Sequence, residues 1–153
     1  MSPAANINAR IVDGLYCEAL VLSDEVRCAF DLSGRIDRAG EGEDAGHVAL
    51  SCEALRTTTR MMHAIAWLLN HRAYLAGELS EFQLRRHGRL SPDFPGAEPE
   101  RMALIEPKVR ELIAATEAFY ARLLRIDGGM REREMKQPSA IDRLRQRLGR
   151  DAA

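Results

Sequence analysis

Residues Leu55–Leu69 read LRTTTRMMHAIAWLL, the most apolar stretch of the chain, yet they include Arg56, Arg60, His63 and three threonines. Placed on a helix at about 100° per residue, these side chains sort into separate faces. One seam, Val48, Cys52, Leu55, Thr59, Met62, Ala66, Leu69, Ala73 and Ala76, alternates steps of four and three, the heptad pattern of a helix packed along a partner. Beside it lies a second apolar line, Ala54, Thr58, Met61, Ile65, Leu68 and Leu75, interrupted by Arg72. The remaining stripe is Arg56, Arg60, His63, Trp67, Asn70 and Tyr74. The threonines fit a helix interior, because a helical Thr can bond its hydroxyl to a carbonyl one turn back. The spacing therefore predicts one long helix over Gly46–Ala76, with the seam in the core and Gly77 as its stop.

The stripe has two readings. It is either a solvated face whose arginine stems and rings cover the edge of the core, or a protein contact surface, because Trp, Tyr and Arg are the types enriched in interface hot spots. Between Met61 and Leu69 the helix is apolar almost all round. Two neighbours in a three-helix bundle cannot cover every side of such a helix. A tail helix or a second copy of the chain must do so, and a homodimer is expected.

Outward from this helix the chain divides into further helical blocks. The first spans Asn6–Leu32, with Ile7, Ile11, Leu15, Ala19, Leu22, Val26 and Ala29/Phe30 on one face. The stretch SGRIDRAGEGEDAG after it reads as an exposed loop. Beyond Gly77, Ser80 can cap a short helical turn, SEFQLRR, and HGRLSPDFPGAEP is a loop by its prolines and glycines. The third long block begins near Glu98, restarts at Glu106-Pro107 and runs to Ile126. Proline suits a helix's first turn, and Gly128-Gly129 is expected to end the block. Its seam is Val109, Leu112, Thr116, Phe119, Leu123 and Ile126. The segment GGMREREMKQP has almost nothing to bury and reads as a flexible linker. A short basic amphipathic helix over residues 139–149 follows, capped by Ser139, with Ile141, Leu144 and Leu148 on one face. The expectation is an all-α, up-down-up antiparallel three-helix bundle over residues 1–127, with a flexible tail over 128–153 that holds the short helix.

Composition bounds the function. Basic and acidic residues nearly balance, 22 against 23, so a dedicated nucleic-acid binder is not expected. The longest unbroken apolar run, Ala64–Leu69, is far short of the roughly 20 residues of a membrane span. The N-terminus MSPAANINAR shows no secretory pattern, and Cys17, Cys28 and Cys52 form no CxxC pair, so reduced thiols in the cytoplasm are expected. His47, His63, His71 and His87 show no metal-ligand spacing. The threonine run has no neighbouring base, and the glycines near residue 40 match no phosphate-cradling pattern. No catalytic residue, metal or cofactor is expected.

The run SCEALRTTTRMMHAIAWLLNHRAYLAGELS, Ser51–Ser80, resembles the signature helix of the bacterial RcdA family, the regulators of CtrA degradation, and EALVLSDEVRCAF in the first helix is also family-like. The resemblance implies a small three-helix protein that dimerises and carries a flexible C-terminal tail. It implies a non-catalytic adaptor of the ClpXP protease that docks on the primed protease and brings in substrates, including cell-cycle transcription regulators. It assigns no role to single residues. The other reading is a homodimeric helical module of a different regulatory pathway, a phosphorelay or a transcription partner. A phosphotransfer histidine would want a polar, acidic surround, whereas His63 lies between Met62 and Ala64. The final residues, LGRDAA, resemble the small apolar ends that such an unfoldase engages, with Asp151 where a leucine would be the stronger signal. The tail is expected to hand over a client, the alternatives being the adaptor's own degradation tag or a solvated end without function.

Overall fold

The computed structural model describes residues 8–38, 45–92 and 96–151, with the side chains of 33–38 and 151 left aside. Six helices make up the described chain: α1 (Ala9–Arg38), α2 (Ala45–Leu75), α3 (Glu81–His87), α4 (Pro99–Met102), α5 (Pro107–Lys136) and α6 (Ala140–Asp151). The fold is an all-α bundle in which α1, α2 and α5 form the core.

α1 starts where the Asn8 carboxamide oxygen accepts the Ile11 N–H at 2.9 Å. It buries Val12, Leu15, Ala19 and Val26, so Val12 takes the place expected of Ile11, which is exposed. Ile7 lies outside the described residues. The helix also runs six residues past Leu32, through part of the expected loop, to Arg38. α1 and α2 are antiparallel: Asp13 near the start of α1 meets Arg72 near the end of α2 at 3.0 Å, while Phe30 shares a groove with Ala54 and Thr58. Gly77, at φ 78°, ends α2 in the left-handed conformation, and the Glu78 N–H returns to the Ala73 carbonyl at 2.9 Å.

The sense of α5 differs from the up-down-up expectation. Ala49 and Leu50 of α2 pack with Val109 and Ile113, Arg60 bonds Thr116, and Trp67 bonds Asp127. Residue numbers rise together along both helices, so α2 and α5 run parallel, and α1 is antiparallel to each; Glu18 of α1 pairs with Arg122. The connection 76–106 makes this possible by travelling back along the bundle, a distance of roughly 45 Å for a 30-residue helix. α3 opens it with a capping box: Ser80 Oγ accepts the Gln83 N–H at 3.2 Å, and Gln83 Oε1 accepts the Ser80 N–H at 2.9 Å. The returning segment is tied to α5 at successive levels. The Tyr120 hydroxyl donates to the Ser91 carbonyl at 2.8 Å, and the Ala97 N–H donates to Glu117 at 2.8 Å. Leu90 enters the main core, and Ile105 closes a second cluster with Ala49, Leu50, Val109 and Ile113.

α5 begins at Pro107 as expected but does not stop at Gly128-Gly129. It continues to Lys136, so the expected linker is largely helix. Contacts made by its side chains outweigh the local preference of the glycines. Arg131 pairs with Asp127 at 2.6 Å and donates to the Leu90 carbonyl at 3.0 Å, and Glu134 faces Arg85 and Arg89. After a break at Gln137, Ser139 and Asp142 cap α6 reciprocally.

Candidate protein-interaction surfaces

The buried side of α2 sets the polar Glu53, Thr57, Arg60 and His71 among the apolar Leu50, Met61, Ala64, Trp67 and Leu68. Arg60 is 2% exposed; its Nη1 donates to Thr116 Oγ1 at 3.0 Å and its Nη2 lies 3.5 Å from Glu117 Oε1. Thr116 in turn donates to the Ile113 carbonyl at 2.7 Å, and Glu117 also receives the Ala97 N–H, so one ion pair ties α2, α5 and the returning connection together. Burial lowers the pKa of Arg60 from its ordinary value, opposed by the carboxylate of Glu117. Two turns earlier, Glu53 is fully buried 3.5 Å from Arg56 Nη1, and the same atom lies 3.7 Å from Glu98.

Farther along the same face, Trp67 Nε1 donates to Asp127 Oδ1 at 3.1 Å, and the other oxygen of Asp127 takes Arg131. The His71 ring packs against the indole with centroids 4.1 Å apart. Burial pushes the pKa of His71 down to about 4, with the nearby Asp127 carboxylate acting in the opposite direction. The buried Tyr120 hydroxyl is pushed up for the same reason.

This geometry corrects the reading of the sequence stripe. Arg60 and Trp67 are core residues, neither solvated nor available to a partner. Arg56 is half-buried between Glu53 and Glu98. Asn70 is half-buried, its side chain 3.5 Å from the His87 carbonyl, and Tyr74 is half-buried beside a small cavity. Only His63 of the six is exposed. The stripe faces α5 and the returning connection because both supply matching hydroxyls, carboxylates and carbonyls. The signal was available: Thr116 and Asp127 are eleven apart, three helical turns, and so share a face of α5.

The seam expected in the core is instead the outer face. Val48, Leu55, Met62 and Leu69, each seven residues after the last, are all exposed, Leu55 by 71% and Met62 by 64%. Leu20 and Val21 of α1 are exposed as well. Between the two helices runs an open groove of about 400 Å³, floored by Phe30, Met61, Met62 and Ile65 and edged by Arg27 and Asp31. On α6, Ile141, Leu144 and Leu148 are exposed on the face expected for them.

Cys17 and Cys28 are exposed and Cys52 half-buried, none in a disulfide. Among the described residues no three His, Cys, Asp or Glu side chains gather as a metal site, and no helix is long and apolar enough to cross a membrane. The fold is thus that of a helical-bundle protein with exposed apolar side chains on α1, α2 and α6. The chain belongs to the family described as protein of unknown function (DUF1465), whose model matches residues 4–151. No curated protein and no solved structure matches it.

Proposed function

We propose that the chain is a non-catalytic adaptor that delivers substrates, cell-cycle transcription regulators among them, to the ClpXP protease in the cytoplasm. The observation that carries this reading is the run Ser51–Ser80, which resembles the RcdA signature helix, in a chain whose family is the one RcdA belongs to. Two exposed apolar surfaces are consistent with a protein that works by holding others. The α1/α2 face, with its heptad line Val48, Leu55, Met62 and Leu69, suits a second copy of the chain. The α6 face of Ile141, Leu144 and Leu148 then remains for a client, on an element that can be displaced without opening the core. The test is a reconstituted degradation reaction with the protease, its priming factors and a client regulator. Adding the chain should accelerate client loss. Unchanged turnover, together with no capture of the protease in a pull-down, refutes the adaptor reading.

A further inference from the structure

Gly128 and Gly129 sit inside α5 in ordinary helical backbone; Gly77 is the glycine with positive φ among the described residues. A Cβ built on either would meet nothing within 4 Å. Neither backbone strain nor close packing therefore calls for glycine there. What two glycines do in a helix interior is weaken it, each by about fivefold in the local equilibrium relative to alanine. The helix beyond them is held by Met130 against the edge of the core and, farther out, by ion pairs that water and salt can reach. Glu134 lies 3.6 Å from Arg85 and 3.8 Å from Arg89, both arginines being well exposed. The Arg131–Asp127 pair bridges the glycines themselves, and Arg131 reaches over to the Leu90 carbonyl. Under this segment lies a cavity of about 50 Å³. Its α2 wall is His71 and Tyr74, and its α5 wall is Met130, Arg131, Arg133 and Glu134, all past the glycines, together with Asp127 just before them.

We propose that residues 128–136 are a hinged lid, with Gly128-Gly129 as the hinge and Glu134 as the latch onto Arg85 and Arg89, which seals the His71 cavity when docked and opens it, carrying α6 along, when released. Opening breaks the Arg131–Asp127 pair and lifts Met130 from the core edge, while the packing of α2 against α5 up to Leu123 and the Trp67–Asp127 bond stay in place. Opening exposes the buried imidazole of His71 and the Met130 side chain. The lid is independent of what α6 binds, so its test needs no protease.

Hydrogen exchange on the full chain is the measurement. Amides of residues 130–136 should exchange as a group, at least tenfold faster than those of residues 113–124, and faster in high salt because the latch is ionic. Replacing both glycines (Gly128→Ala with Gly129→Ala) should slow that group tenfold or more. Glu134→Gln should speed it several-fold, and neither change should move the exchange of residues 113–124. Protection that falls smoothly towards Lys136 would be simple fraying and would overturn the hinge, as would an alanine pair that leaves the rates unchanged.

Discussion

The two faces of α2 depart from the usual rule. Its inner face holds Glu53, Thr57, Arg60 and His71 at 4% exposure or less, while its outer face leaves Val48, Leu55, Met62 and Leu69 open. α5 meets this face with specific partners, Thr116 and Glu117 for Arg60 and Asp127 for the neighbouring Trp67. The outer apolar groups are exposed because α1 covers only one edge of them. Polarity alone therefore does not say which side of a helix faces the core; the chemistry of the opposing helix decides.

Substitutions that exchange the roles of the two faces break the comparison most directly. Trp67→Ala removes a fully packed indole and takes one of the two partners from the buried Asp127; it should cost about 3–5 kcal/mol in chemical denaturation. A cost below about 1 kcal/mol would mean that Trp67 is not held against α5.

The next effect is in acid. His71 is neutral in the fold, with a pKa pushed down to about 4 from an unfolded value of 6.5, so the unfolded chain takes up the proton first. Its contribution is complete above about pH 6.5 and is lost as pH falls towards 4, on the order of 3 kcal/mol. His71→Leu should flatten that limb of the stability–pH curve, and an identical limb in the variant would assign the acid sensitivity to other groups.

Arg60→Ala should cost about 2 kcal/mol by leaving the buried Thr116 and the half-buried Glu117 without their cation. Arg60→Met, which keeps the stem, sharpens the test. If the ion pair serves mainly to fix the α2–α5 register, Met should recover most of the thermal stability while broadening the unfolding transition or the NMR spectrum.

The smallest stability effect belongs to the outer face. Leu55→Glu with Met62→Glu should change unfolding free energy by under about 0.5 kcal/mol per site. If this face seats a second copy, the same pair should turn a dimer into a monomer in light scattering, and a dimer that survives both changes would move the interface elsewhere.

Much of the fold is legible in the amino-acid sequence. Alternating steps of three and four mark the three long helices, Ser80 and Ser139 announce their caps, and Gly77 and Pro107 fall at true boundaries because each acts through its own backbone. What is not legible depends on residues far away in sequence. α2 carries two apolar lines, and periodicity cannot say which one α1 and α5 will cover. The partners of Arg60 and Trp67 lie 56 to 60 residues downstream, so their stripe reads as surface. The helical continuation past Gly128-Gly129 rests on Arg85, Arg89 and Leu90, from a segment whose return path no local pattern reveals.

The parallel run of α2 and α5 bears on how the chain is made. Synthesis delivers the N-terminal part first, and α1 and α2 are joined by a short connection, so their pairing closes only a small loop. α5 follows after the whole returning segment. Until it arrives, the surface of the α1–α2 pair that awaits it displays Glu53, Arg56, Arg60 and His71, groups that water solvates well, beside the apolar Leu50 and Trp67. A greasy inner face at that stage would invite neighbouring nascent chains to stick. Replacing the polar spine that later becomes interior wholesale with leucines should therefore lower the yield of soluble protein even where the finished bundle is no less stable.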